Sequence, residues 1–276
     1  MTGDVLQMPP KLAQALGEGD VFECVMALNG EVFRNVPGRR TVRVLLDNEP
    51  YFAKLHYGVG WREIFKNLLS LRPPIVSAAT EWRAIQRLDA IGIPTTPAVA
   101  YGERGRNPAH LRSFVLTRDL GDIVSLETLC AGWKAHPPAP RFKRRLLLAV
   151  ADIAQRLHDH GLNHRDFYIC HLCLDNQRLA RDDIHLYLID LHRVGMRTAI
   201  RPVDRMKDMA ALYFSAMDSG LTRRDYLRFL RAYRRRPLRE LLHEERNFWQ
   251  QVSRRAGQLY YKFHGRMPMP VFQAQD

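Results

Sequence analysis

Short alternating runs of apolar and polar residues dominate the first 119 positions of the chain, and helical runs dominate the rest. Glu31 to Arg34 and Thr41 to Leu46 read as strands around Asn35–Arg40, and Tyr51 to His56 as a third, because strand side chains alternate between two faces. Val99–Ala100 and Ser113 to Thr117 add two more, joined by the polar loop Glu103–His110. One helix falls among them. Trp82, Ile85 and Leu88 recur at helical spacing, and Gly92 and Pro94 stop the run. Upstream, Met8-Pro9-Pro10 argues against early regular structure, Leu12–Leu16 allows one helical turn, and Val21–Leu28 allows a short helix or a strand. Between Trp61 and Arg72, Trp61, Ile64, Phe65, Leu68, Leu69 and Leu71 fall toward one side of a helix. That pattern suits a core-facing helix or one lying on a membrane.

Past the Pro-rich link His136–Pro140, a helix is expected from about Arg141 to His160 with Leu146, Val150, Ile153, Ala154 and Leu157 buried, ended by Gly161. Another begins near Met206, and Thr222 is placed to cap a third over Arg223–Leu230. A last helix, about Leu241 to Phe263, interleaves Arg246, Arg254, Arg255 and Lys262 with Phe248, Trp249, Tyr260, Tyr261 and Phe263. Basic residues among such aromatics fit an anionic membrane surface. The expected fold is α+β and two-lobed. Residues 1–119 form a small antiparallel sheet with one key helix, and residues 120–276 form a mainly helical lobe, together one catalytic domain.

Composition adds charge to this picture. Lys and Arg number 42 against 29 Asp and Glu, a net charge of +13. Such a surface attracts polyanions: nucleic acid, anionic membrane, a phosphorylated glycolipid or an acidic carrier protein. No apolar run approaches the ~20 residues that cross a bilayer, and no secretory signal opens the chain, so a cytoplasmic protein is expected. Of the four cysteines, Cys170 and Cys173 form a lone C-x-x-C, which reads as incidental thiols rather than zinc or redox chemistry.

The candidate chemistry lies in Asn163-His164-Arg165-Asp166 and, five residues after Asp166, His171. This has the form of a protein-kinase catalytic loop, in which an Asp accepts the hydrogen bond of the attacking hydroxyl. Asp190 ends an apolar run 24 residues after Asp166 and stands where a kinase keeps its magnesium-binding Asp. Lys54, flanked by strand formers, is placed to pair with the ATP phosphates, and Glu81 on the following helix is its expected partner. Gly38 and Arg39 sit in the turn expected to cover phosphates. Leu116, Thr117 and Arg118 are expected at the nucleotide, the last two within a hinge Thr117-Arg118-Asp119-Leu120 whose main-chain groups would bind adenine. Asp208, at a helix start, is expected to reach back to the catalytic loop.

In these stretches, and in Gly60-Trp61-Arg62-Glu63-Ile64, Ala98 to Gly105, Asp190-Leu191-His192-Arg193 and Lys207 to Ser215, the chain resembles the lipopolysaccharide core heptose(I) kinases of Gram-negative bacteria. His171 replaces the usual loop Asn, and Leu-His-Arg follows Asp190 in place of Phe-Gly. The resemblance implies a protein-kinase-like fold and transfer of the ATP γ-phosphoryl to O4 of the first inner-core heptose. It implies Asp166 as base with His164 and Arg165 in its loop, Mg²⁺ at Asp190 with His171 beside it, and Lys54 with Glu81 as the phosphate clamp. It places the enzyme at the cytoplasmic face of the inner membrane. The net positive charge allows an acidic protein as a further partner, and no nucleic acid is expected, since no recognisable nucleic-acid module is present. A kinase of Kdo, of another core heptose, of a small molecule or of a protein would carry the same residues. A non-catalytic pseudokinase or nucleic-acid binder is the rival of another class.

Overall fold

The computed structural model describes residues 4–69 and 77–268. They form two compact units. The first holds the chain up to Asp89, Thr95–Gly121 and Asp190–Arg193; the second holds Ala90–Pro94, Asp122–Ile189 and the chain from Val194 onward.

The first unit is an antiparallel sheet of β1 (Val5–Gln7), β2 (Glu31–Val36), β3 (Arg39–Leu46), β4 (Glu49–His56), β5 (Ala98–Arg104) and β6 (Arg112–Arg118). Across the sheet the order is β1-β5-β6-β4-β3-β2. Alternation decides what each face carries. Val42, Val44 and Leu46 of β3, with Tyr51, Ala53 and Leu55 of β4, turn to one face and pack against Leu12, Phe22, Val25 and Met26. Those four residues belong to α1 (Pro10–Ala15) and α2 (Val21–Met26). The helical turn allowed at Leu12–Leu16 is thus α1, which begins at Pro10 itself, and with α2 it packs on the sheet. Pro10 is tolerated because it opens α1, where a missing N–H is no loss. Asp20 caps α2 by accepting the Phe22 N–H at 2.9 Å, which settles this stretch as helix.

The other face carries Arg39, Thr41 and Arg43 of β3 opposite His56, Lys54 and Phe52 of β4. α4 (Ala79–Ala90) covers its β5–β6 side, where Ala78, Ala79 and Trp82 pack with Tyr101 and Val115. Ahead of it, α3 (Gly60–Leu69) splits the single apolar side expected there. Ile64 is buried, whereas Trp61 and Phe65 are exposed and meet ring to ring at 5.8 Å. Leu71 and Arg72 lie outside the described residues. Because β2 and β3 run to Val36 and Arg39, the connection is a tight Pro37–Gly38 turn. Gly38 has φ +76, and a Cβ there would stand 2.5 Å from the Gly58 carbonyl oxygen. The turn expected over Asn35–Arg40 is thus a shorter hairpin turn, with Arg39 and Arg40 inside β3.

The second unit contains β7 (Ile123–Ser125), α5 (Leu126–Cys130), α6 (Pro140–Asp159), β8 (Leu162–Asn163), β9 (Leu172–Asp175), α7 (Asn176–Leu179), β10 (Leu186–Leu188) and β11 (Gly195–Met196). Then come α8 (Pro202–Ala216), α9 (Arg223–Arg234), α10 (Leu238–Glu244) and α11 (Arg246–His264). α6 buries the face expected of it, Leu146, Val150, Ile153, Ala154 and Leu157. Gly161 follows at φ +74, where a Cβ would lie 2.1 Å from the Arg197 carbonyl oxygen. Thr222 and Asp225 close a capping box on α9. Among the described residues no helix is long and apolar enough to cross a membrane.

Candidate active site

In the first unit, β4 presents Lys54 and α4 presents Glu81, and their side chains form a direct ion pair. Glu81 is almost fully buried, so the pair is strongly held; stranding one ion of a buried pair costs roughly 3–5 kcal/mol. Burial works against the Lys54 charge, but Glu81 beside it and Asp190 further off outweigh it and raise its pKa above the usual lysine value. Asp190 adopts φ +62, a conformation that Asp tolerates better than most residues. His192 contacts the Asp190 carboxylate through Nδ1 and so fixes its orientation. Arg34, Arg39, Arg40, Thr41 and His56 complete the lining of a small cavity around these groups. Burial, with Arg39, His192 and Lys54 nearby, lowers the His56 pKa to about 3, so its imidazole is neutral. Cationic side chains gathered around the Glu81 and Asp190 carboxylates suit phosphate oxygens and a cation together.

The residues approaching the expected hinge are less free than anticipated. Leu116 and Thr117 are buried in β6 and paired on both sides, with Ala53 and Phe52 of β4 and with Ala100 and Ala98 of β5. Their main-chain groups are committed to the sheet. Arg118 donates its N–H to the Pro97 carbonyl and its guanidinium to Glu49 at 3.2 Å.

In the second unit, the loop His164–Arg165–Asp166 is anchored by Asp208 on α8, as expected from its position. The fully buried Asp208 carboxylate accepts the His164 N–H at 2.6 Å and the Arg165 N–H at 2.8 Å. His158 Nε2 lies 3.4 Å from the same carboxylate, and its Nδ1 lies 2.7 Å from the Tyr233 hydroxyl. These bonds hold Arg165 at φ +70, a backbone state unfavourable for a long side chain. His164 was expected in the catalytic set, but it is fully buried and donates from Nε2 to the Ile189 carbonyl at 3.0 Å. Burial makes it part of the scaffold. The Asp166 carbonyl accepts from His171 Nδ1 at 2.7 Å and from the Tyr168 N–H at 2.9 Å, which fixes the loop backbone at Asp166.

His158, Tyr233 and His192 carry supporting roles that sequence reading did not assign. His158 and Tyr233 meet across 75 residues, which no local spacing marks, whereas His192 stands two residues after its partner Asp190. Burial raises the Cys173 thiol pKa to about 11 and that of Cys130 to about 12. Among the described residues no three His, Cys, Asp or Glu side chains gather as a metal site. The second unit also carries a half-open apolar cavity of about 710 Å³, lined by Leu146, Met209, Leu212, Phe229 and Trp249 among others.

A lysine–glutamate pair beside an aspartate, and an H-R-D loop tied to a buried helix aspartate, are the parts of a protein-kinase-like phosphotransferase. The chain belongs to the lipopolysaccharide kinase (Kdo/WaaP) family, whose model matches residues 23–233. It is 50% identical over 242 residues to the lipopolysaccharide core heptose(I) kinase WaaP of Pseudomonas aeruginosa, spanning 87% of this chain and 90% of that one. With the namesake kinase of Escherichia coli K12 the identity is 43% over 253 residues, or 91% and 96% of the two chains. A solved structure described as WaaP in complex with acyl carrier protein matches with TM-score 0.81 and 44% identity, covering 93% of this chain and 99% of that one. The chain is therefore a kinase, with the α+β protein-kinase-like fold expected of it.

Proposed function

We propose that this kinase transfers the γ-phosphoryl of ATP to O4 of the first heptose in the lipopolysaccharide inner core. The observation that carries the reading is the Lys54–Glu81 pair with Asp190 in one unit, in a chain half identical to a core heptose(I) kinase. Phosphoryl transfer needs positioning and charge neutralisation more than covalent help. Lys54, held by Glu81, clamps the α- and β-phosphates, and Arg39 meets phosphate oxygens. Asp166 accepts the hydrogen bond of the attacking hydroxyl.

Asp190 suits Mg²⁺, which takes one or two carboxylates and completes its shell with phosphate oxygens and waters. The bound cation would neutralise charge on the phosphate oxygens. His171 is the weaker ligand. Imidazole is a softer donor than oxygen, and its Nδ1 is engaged on the Asp166 carbonyl. Its role is to brace Asp166.

The test is transfer from ATP to inner-core acceptors lacking one sugar at a time. Transfer should stop when the first heptose is missing. Undiminished phosphorylation without it would reject this acceptor, and dependence on Kdo alone would identify a Kdo kinase.

Surface chemistry supports two partners. Phe263 and Met267 are 77% and 67% exposed at the C-terminal end of α11 and just beyond it, next in the chain to Lys262 and Arg266, with Arg254 and Arg255 earlier on the same helix. This fits peripheral docking on the anionic cytoplasmic face of the inner membrane. Reversing the charges of Arg254 and Arg255 should loosen binding to anionic vesicles while ATP affinity holds; unchanged co-sedimentation would reject the docking surface. The second partner is an acyl carrier protein, with its chain in the 710 Å³ cavity and its acidic surface on the basic exterior. A carrier stripped of its acyl chain should bind more weakly, and equal binding would reject the cavity as its seat.

A further inference from the structure

The segment from Val194 to Lys207 is tied to the catalytic loop at both ends. At its start β11 pairs antiparallel with β8, Gly195 opposite Asn163 and Met196 opposite Leu162, and β8 runs directly into His164-Arg165-Asp166. A Cβ on Gly195 would stand 2.3 Å from Asn163 Oδ1 and 3.2 Å from Arg165 Nη2, so the two strands lie in close contact. The Arg197 N–H donates to the Gly161 carbonyl at 3.0 Å. At its end the next residue is Asp208, which accepts the His164 and Arg165 N–H groups. The residues between these ties are therefore held beside the loop of Asp166.

This strap is basic. It carries Arg197, Arg201, Arg205 and Lys207 against one carboxylate, Asp204. Arg201 donates to both Asp204 oxygens, from Nε at 2.6 Å and Nη2 at 3.0 Å. Arg205 lies over the Phe248 ring, 4.1 Å from its centroid. Arg197 Nε is left 3.9 Å from Asp204 with 47% of its side chain exposed, beyond hydrogen-bond reach. Lys207 is exposed as well. The Arg201 hydrogen bond, with desolvation opposing it, holds the Asp204 carboxyl below the usual range, and the charges of Arg197 and Lys207 add to it. Both cations thus stand around one point of the strap, and Arg201 already satisfies the carboxylate there.

We propose that Arg197 and Lys207 recognise the acceptor, pairing with carboxylate or phosphate groups on the sugars that flank the phosphorylated one. The inference rests on the glycolipid reading above and adds to it the residues that hold the acceptor's acidic groups. Arginine's planar fork matches carboxylate and phosphate alike, and lysine meets either as a point charge. Position favours the acceptor over ATP. The strap is tied to the loop of Asp166, which meets the attacking hydroxyl, and not to the strands that carry Lys54.

The test uses inner-core oligosaccharide freed of its lipid, so that no membrane takes part, with the full chain, ATP and Mg²⁺. Arg197→Ala and Lys207→Ala should each raise the acceptor KM by about 10- to 100-fold, the effect of losing a charge-assisted hydrogen bond. The KM of ATP should stay within about twofold of wild type, since only acceptor binding is altered. Two modified acceptors identify the group that is read, one with its sugar carboxylates reduced to alcohols and one stripped of phosphate. Loss of the recognised group should weaken wild type and leave an Arg197→Ala/Lys207→Ala chain unmoved. Arg197→Lys, which keeps the charge, should recover part of the affinity. A merely structural role for these residues would lower the melting midpoint without that selectivity. Unchanged acceptor KM in both variants overturns the proposal. So does equal weakening of ATP and acceptor, or a double variant that still discriminates the modified acceptors as wild type does. Wild-type protein that phosphorylates no inner-core acceptor would reject the glycolipid reading itself, and this surface with it.

Discussion

Asp208 supports the catalytic loop from beneath, and its replacement by Asn probes how much. The carboxylate is fully buried and accepts two main-chain N–H groups, at 2.6 and 2.8 Å. Asn keeps one acceptor oxygen and turns an NH₂ toward the other N–H, so one bond is lost and a buried donor is stranded. A hydrogen bond to a charged group contributes about 1.5–3 kcal/mol, so Asp208→Asn should cost about 2–3 kcal/mol. For chains of this size each kcal/mol moves the midpoint by about 2–4 °C, which gives a fall of roughly 4–12 °C in a thermal scan. These bonds also hold Arg165 at φ +70, so losing one lets strain relax and offsets part of that cost. Glycine removes roughly 1–2 kcal/mol of that strain in advance. In an Arg165→Gly background, with no strain left to relax, the cost of Asp208→Asn should therefore grow by about 1 kcal/mol. Phosphate transfer should fall with the loop's order. An Asp208→Asn chain that melts within about 1 °C of wild type, or whose cost is unaltered by Arg165→Gly, would refute this account.

Lys54 should make stability pH-dependent at the alkaline end. Its pKa is raised above the ordinary 10.5, so the ion pair's contribution is complete below pH 10.5 and fades as pH rises through the raised value. Denaturant melts should show wild type losing more stability than a Lys54→Met/Glu81→Leu chain above that pH; parallel losses contradict the pairing. Alkylation with mass mapping near neutral pH should label Cys24 and Cys170 well before Cys130 and Cys173, whose buried thiols are shifted to about 12 and about 11. Gly161→Ala should destabilise by about 2–3 kcal/mol, since its Cβ would meet the Arg197 carbonyl oxygen at a positive φ. Denaturation midpoints report it, and a change under about 0.5 kcal/mol would be inconsistent. Tyr233→Phe removes the hydroxyl partner of His158 Nδ1 and should cost about 1 kcal/mol; an unchanged melt would show that the contact carries no stability.

Periodicity and motif order made much of this protein legible before any fold was seen. The strands from Glu31 to Thr117 and the buried face of α6 follow from side chains repeating every second or every third to fourth position. Residue type and sequence order single out Lys54, Glu81, Asp166, Asp190 and Asp208, and the structure pairs the first two and bonds Asp208 to the loop of Asp166. The tertiary structure decided everything that depends on a distant partner. It placed α1 and α2 over the sheet, moved His164 from chemistry to scaffold, and drew Arg39 and Arg40 into a hairpin strand. It joined His158 to Tyr233 across 75 residues and tied the segment from Val194 to Lys207 to the catalytic loop at both ends. The reason is physical. A sequence pattern records how water-averse each position is and how the chain repeats locally, whereas the identity of a contact depends on which remote segment folding brings against it.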